Sequence, residues 1–446
     1  MGQSRSDRLN IAIIGTGIAG MSAAWLLSQK HDITVYESAP RLGGHTNTIN
    51  VPGLDGATPV DMGFIVYNPA TYPNLTSLFR HLDVATQPSD MSFAVSLRGG
   101  AMEYAGTDLG GLFAQKSNLL NPRFWFMLRD LVRFYREGSR DARTGASLDM
   151  SLGEYLSANG YGEAFIREHL VPMAAAIWST PSQSMLAYPA AAFLRFCDNH
   201  GLLRLRERPE WRTVTGGSHR YVERLTAPYA DRIRLGCGVR SLSRNRHGVT
   251  LFDTNNEMAI YDHVVVAAHA DQALEMLADP SEAETAILGA LTYGRNEAVM
   301  HRDETLMPRR RNVWCSWNYT GGDDDCPVGV SYWMNRLQAL PDPSPVFVTL
   351  NPSRQPMEGS IIHRETYDHP QFGAAAMRGQ KLLWSLQGTR RTWYCGAYFG
   401  AGFHEDGLQA GLAVAEELGG LRRPWTVPEE SGRIHLPQST PKTAVA

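Results

Sequence analysis

Paired cysteines are what this sequence lacks most plainly. Its five cysteines, Cys197, Cys237, Cys315, Cys326 and Cys395, are scattered. There is no CxxC pair and no histidine at a metal-ligand spacing, so neither a zinc site, another metal site nor a disulfide framework is predicted. Unpaired thiols suit a reducing cytoplasm. Also missing is any run near the ~20 apolar residues that a membrane-spanning helix needs. Met1 to Leu9 hold two arginines and no apolar stretch, which argues against a secretory leader. Charge of one sign is not in excess: 42 Lys+Arg against 45 Asp+Glu leave a net charge of -3, so nothing global draws the chain to nucleic acid. Internal repeats and low-complexity segments are absent.

At 446 residues the chain exceeds one ordinary core, and two domains are predicted. Asn10 to Ile14 reads as an apolar strand, followed by Gly15-Thr16-Gly17-Ile18-Ala19-Gly20, a helical run Met21 to Gln29, and a second strand Ile33 to Tyr36 with Glu37 at its end. This is the context a dinucleotide-binding glycine turn requires. Gly15 permits the tight turn, Gly17 lets the backbone approach a pyrophosphate, and Gly20 allows close helix–strand packing. Glu37 is placed to accept hydrogen bonds from adenosine ribose hydroxyls. These features fit NAD as well as FAD.

Further strands are predicted at 233–235, 239–243, 249–252 and 263–268, and a third piece at 392–395 runs through a glycine-rich turn into a helix over 408–418. Between them lie a mainly helical block, 72–205, and aromatic-rich strands over 312–319, 328–334 and 346–350. The predicted organisation is interleaved. Residues 9–71, 210–275 and 385–424 build the nucleotide domain, residues 72–209 and 276–384 build a substrate domain, and a tail, 425–446, frays.

Four residues after the acid, Arg41-Leu42-Gly43-Gly44-His45 resembles the R-x-G-G-[RK] element of the flavin amine oxidase superfamily, which includes monoamine oxidases, protoporphyrinogen oxidase and phytoene desaturases. His45 stands where a basic residue is commoner. Val60-Asp61-Met62-Gly63-Phe64 resembles the family's D-x-G segment, Thr215-Gly216-Gly217 its G-G turn, Gly238-Val239 its adenine clasp and Val265-Val266-Ala267-Ala268 its returning strand. Gly396-Ala397, Gly400 and Gly402-Phe403-His404-Glu405-Asp406-Gly407 are similar to its C-terminal flavin-closing motif. The resemblance implies an α/β fold in which a discontinuous Rossmann-type FAD-binding domain carries an inserted α+β substrate domain. It implies FAD held by Gly15, Gly17, Ile18, Ala19, Gly20, Glu37, Ser38, Arg41, Gly43, Gly44, His45, Gly63, Phe64, Ile65, Val239, Ala267, Gly396, Phe403, His404 and Glu405. The His404 backbone N–H would face the flavin pyrimidine carbonyl. Covalent members place a cysteine inside the closing motif, whereas Cys395 precedes it, so non-covalent FAD is expected. The scattered cysteines offer no dithiol for a disulfide-reductase relay.

Amine-oxidising relatives carry a lysine near flavin N5, on the strand that here reads Tyr293-Gly294-Arg295-Asn296-Glu297-Ala298-Val299, without lysine. Tyr67, Asn296, Tyr332 and His404 are the catalytic candidates, and Asn68, Asn318 and Asn335 are further polar groups for orienting a substrate. None has a base partner in sequence. Phe403 falls near an aromatic cage position or in the core. Trp314 and Ser316 on one face of a strand, with Cys315, Trp317 and Tyr319 on the other, suit either a long apolar substrate or a plain sheet core. Over 122–140, Phe124, Met127, Leu128, Leu131 and Tyr135 oppose Arg129, Arg133, Arg136 and Arg140 at helical spacing. Such a helix either lies in an anionic membrane surface, led by Phe124, Trp125 and Leu128, or packs on its own domain.

Tyr394 through Gly407 and Met307-Pro308-Arg309-Arg310-Arg311 resemble a bacterial branch associated with fatty-acid modification and with cyclopropane-synthase-like methyltransferases. That likeness implies an FAD-dependent desaturase of methyl-branched acyl chains on phospholipid, a step toward furan fatty acids, in a cytoplasmic protein with peripheral membrane contact. Amine or polyamine oxidation, and a flavin-bound accessory role beside a lipid methyltransferase, are the alternatives. A homodimer stays open.

Overall fold

A computed structural model describes residues 8–53, 56–144, 150–178, 185–204, 208–321, 329–341 and 343–437. Cys326 and the first seven residues lie outside the described residues. The strand Asn10–Ile14 is the centre of a five-stranded parallel sheet in the order Thr392–Tyr394, His263–Val266, Asn10–Ile14, Asp32–Tyr36, Ile233–Arg234. Each separated piece of the predicted nucleotide domain therefore contributes a strand. The strands are Val- and Ile-rich because both faces are covered. The helix Ile18–Leu27 is buried along its whole length, sandwiched between this sheet and the closing helix His404–Gly419, which ends where Gly420 turns left-handed (φ 69°).

A seven-stranded mixed sheet forms the second layer, in the order Ile361–Gln371, Thr292–His301, Phe347–Leu350, Gly329–Trp333, Trp317–Gly321, Phe93–Leu97, Met102–Ala105. The block expected to be mainly helical thus supplies two strands to this sheet and a third, Thr86–Ser89, to a ribbon. The aromatic strand begins only at Trp317, so the alternation expected from Trp314 does not apply. Trp314 instead packs with Met307, Trp333 and Phe347.

Two large hydrophobic cores and two small clusters result among the described residues, and the large ones do not follow the expected boundaries. Leu75, Leu78, Phe79, Ile287 and Leu288 belong to the core of the parallel sheet, while Val51, Val60 and Met62 belong to that of the mixed sheet. The tail is also corrected, as far as it is described. Trp425 stacks on Trp25 (5.9 Å between centroids) and donates Nε1–H to Asn74 Oδ1, and Ile434 is buried. Trp425 and Ile434, burying apolar area against the core, outweigh the turn-forming composition. Among the described residues no helix is long and apolar enough to cross a membrane.

Candidate functional site

Gly15 adopts φ +100°, where a Cβ would press on the Ala267 carbonyl, and a Cβ on Gly20 would overlap the Gly15 carbonyl. Both glycines are demanded by the protein itself. Gly17 is different: a Cβ there would meet no protein atom within 4 Å, which leaves open space at the start of the helix. No side chain caps the helix that follows, which leaves the first-turn N–H groups of Ile18, Ala19 and Gly20 free for an anion. A Cβ on Gly44 would lie 3.1 Å from Gly17 Cα, so the Arg41–His45 loop closes over the same spot. Arg41 braces that loop by donating to Gly44 O (2.8 Å) and pairing with Glu365.

Glu37 sits at the end of its strand, but its Oε2 accepts from Thr16 N (2.9 Å) and Oγ1 (2.5 Å), and Oε1 from Ala39 N (2.8 Å). In this way it ties the glycine turn to the loop holding Ser38. Gly238 packs on Ser38, and Cys237 N donates to Glu37 O, which brings Val239 to the same end. Asp61 anchors the next segment: it accepts from Thr48 Oγ1, from Ser218 N and Oγ, and from Gln338 Nε2. Burial raises its carboxyl to about 6 against those donors. The segment is thereby pinned so that Phe64 N donates to His45 O.

The closing helix completes the arrangement. The His404 ring stacks on Phe64, and its Nε2 lies within hydrogen-bond distance of Tyr221 Oη (2.9 Å) and Thr46 Oγ1 (3.1 Å). Burial pushes the imidazole down to about 3, so it is neutral at pH 7. Asp406 accepts from Phe403 N (2.8 Å) at the start of the helix. The Glu405 carboxylate is corrected from a cofactor contact to a brace: it accepts from Asn74 N, Asn74 Nδ2, Leu75 N and Gln409 Nε2, leaving only its backbone for a cofactor. Phe403 stacks on Phe196 at 5.0 Å.

Of the catalytic candidates, His404 and Asn296 flank this junction and two others do not. Tyr67 is a core residue, its ring against Phe79 and Tyr72. Tyr332 is buried with its hydroxyl donated to Ala176 O and its ring against Trp317. Asn68, Asn318 and Asn335 hold loop backbone at Thr71, Cys315 and Val346 through their amide oxygens.

Asn296 donates to His369 Nδ1 (2.8 Å) and accepts from Asn351 Nδ2 (2.7 Å). His369 neighbours His45 (5.3 Å between centroids), which also approaches Tyr367 (4.9 Å) and His269 (6.2 Å). Burial lowers all three imidazoles, His369 to about 4 and His45 well below the ordinary range. This neutral cluster was not legible in sequence, because Tyr367 and His369 stand on Ile361–Gln371, where charged residues and Pro370 argue against a strand. A cavity of about 370 Å³ is lined by Arg41, Leu42, Thr46, Val222, Thr226 and Leu235 among others.

Residues 18–306 match the family described as flavin containing amine oxidoreductase. The provisionally designated flavin-containing monoamine oxidase AofH of Mycobacterium tuberculosis is 27% identical over 252 residues, 54% of this chain and 53% of that protein; the chain thus spans about half the length of the curated relatives it matches. Among solved structures, a cyclohexylamine oxidase from Brevibacterium oxydans IH-35A superposes with a TM-score of 0.68 at 17% identity, covering 92% of this chain and 99% of that one. A fatty acid isomerase from P. acnes that produces CLA gives 0.65 at 16%, covering 93% and 99%. Both share the fold.

Proposed function

The chain belongs to the flavin-containing amine oxidoreductase family, with FAD as its cofactor, and from that premise we propose that it is a dehydrogenase of a lipid-like substrate, most specifically a desaturase of a methyl-branched acyl chain of a phospholipid. FAD, when bound, supplies a two-electron acceptor. The chain's own residues would hold it: open amides and Gly17 for the pyrophosphate, Glu37 and Ser38 at the adenosine end, the His404 turn at the other end.

The observation that carries the reading is the environment of Asn296. The strand Thr292–His301 has no lysine, and the amide at position 296 is locked into a chain of neutral imidazole and amide groups, His369–Asn296–Asn351. A cation introduced there would break the Asn296 contacts with His369 and Asn351 and stand in a buried setting without a carboxylate among those partners. Beside the His404 turn, Phe403 stacks on Phe196 and Ile65 packs against the core of the mixed sheet, and Glu405 and Asp406 are turned into internal contacts. Such walls suit hydrocarbon better than an ammonium group.

Amine oxidation is the second reading, favoured by the likeness to the designated monoamine oxidase. The test is anaerobic bleaching of the bound flavin. Detergent-dispersed phospholipid with methyl-branched chains should reduce it, and benzylamine or spermidine should reduce it slowly or not at all. Rapid bleaching by either amine overturns the proposal in favour of the second reading. Bleaching by neither class points to a flavin-bound accessory protein beside a lipid methyltransferase.

A further inference from the structure

Six of the twelve large apolar side chains exposed on the described surface lie between residues 109 and 132: Leu109, Leu119, Leu120, Trp125, Phe126 and Val132. Trp125 and Phe126 are the only tryptophan and phenylalanine among the twelve, and Leu120 is 88% exposed. They do not belong to the core-facing stripe of the helix Pro122–Thr144. That stripe is Phe124, Met127, Phe134 and Tyr135, all buried, so Phe124 is corrected from surface to core. Trp125 Nε1 donates to Leu119 O (3.0 Å), and its ring lies 5.4 Å from Phe113. The turn Lys116–Leu120 and the first turn of the helix therefore present one apolar tip.

The rim of this tip is basic. From Leu109 to Arg129 there is no acidic residue, and Lys116, Arg123 and Arg129 fall within that span. Arg98 and Arg123 converge on Glu168, and Arg129 and Arg133 on Asp130, both carboxylates being buried. Four cations thus face two enclosed acids, in a chain whose overall charge is -3. Arg133 is corrected from a free cation to a packed one, lying over the Tyr161 ring at 4.0 Å.

We infer that this tip inserts Leu120, Trp125 and Phe126 into the surface of an anionic membrane, with Lys116, Arg123 and Arg129 meeting the head groups. Exposed Trp and Phe beside cations form the pattern that sits at a lipid–water boundary. A second copy of the chain fits less well, because an isologous contact would set the same basic rim against itself. The inference rests on the surface and does not need the reading of the reaction. Flotation measures it apart from flavin bleaching, so either can fail while the other stands.

The test is flotation of the FAD-loaded full chain with vesicles of phosphatidylglycerol and phosphatidylcholine against phosphatidylcholine alone. Wild type should float with the anionic vesicles at least tenfold more, and the difference should shrink with salt. Leu120→Glu, Trp125→Glu, Phe126→Glu in combination should stay at the bottom while yellow, and Met258→Glu, changing an equally exposed apolar residue elsewhere, should float as wild type does. A triple variant that floats like wild type overturns the inference. So does a wild type that ignores both vesicles and sediments as a dimer which the triple variant dissociates. If the triple variant aggregates, Lys116→Glu, Arg129→Glu decides: loss of anionic-vesicle binding supports the inference, and full retention overturns it.

Discussion

The His404 imidazole lies flat on the Phe64 ring, 3.8 Å between centroids and 12° between planes, joining two segments that are 340 positions apart in sequence. The stack fixes the first turn of the closing helix against the segment that Asp61 pins. An aromatic pair of this kind is worth ~0.5–1.5 kcal/mol. Phe64→Leu should therefore weaken FAD binding by roughly three- to tenfold with the far-ultraviolet spectrum unchanged, as read by titrating apoprotein with FAD. An unchanged dissociation constant would show that the stack does not position the site.

Gly17 and Gly20 separate two kinds of glycine. Gly17→Val adds a side chain where no protein atom stands within 4 Å, so the variant should fold and purify colourless. Gly20→Val must move the Gly15 carbonyl and should fail to fold. Equal FAD content in wild type and Gly17→Val would mean that the pyrophosphate lies elsewhere. Acid precipitation of wild type should release intact FAD, since Cys395 is fully buried at the end of its strand; flavin remaining in the pellet would show a covalent link.

Stability should fall with acidification. His45, His369 and His404 are held below the ordinary histidine value by burial, so their contribution is full above pH ~6.5 and is lost as pH falls toward their lowered folded values, about 4 for His369 and about 3 for His404. Asp61 acts in the opposite sense: raised to about 6, it contributes most in acid and loses that contribution as pH rises through 6. Glu405 and Asp406, also raised by burial, act in the same sense as Asp61, and the histidines lowered by burial, which include His169, His200, His269 and His301 besides these three, outnumber the carboxylates. Melting temperature should drop from pH 7 to pH 5, and His369→Gln should flatten the slope. A rising melting temperature over that range would contradict the neutral cluster.

Arg433 holds the far side of the closing helix. Its Nε is 3.1 Å from Asp406 Oδ1, and its guanidinium covers the Tyr72 ring at 5.5 Å. Asp406 is fully buried, with burial raising its carboxyl and Arg433 pulling it down. Arg433→Ala removes the cation and should destabilise the protein by ~3 kcal/mol, seen as a lower melting temperature and faster loss of FAD on heating, with partial recovery in Arg433→Lys. A melting temperature equal to wild type would show that the segment after Pro424 is only loosely docked.

The strand–glycine–helix–strand unit from Asn10 to Glu37 was legible because its signals are local. Apolar strand residues, a turn where Gly15 must take positive φ, and a buried apolar helix each act within a few positions, and the closing motif at Gly396–Gly407 is read the same way. Tertiary structure alone decided the rest. Helical period set Phe124 and Arg129 at different angles around Pro122–Thr144 but could not say which angle meets the core, and packing buried Phe124 while leaving Trp125 and Phe126 outside. The imidazoles of His45, His269 and His369 are each unremarkable in sequence. They form one neutral cluster because three chain segments, separated by more than 300 positions from first to last, cross there, and the burial that neutralises them is a property of those crossings rather than of any local pattern.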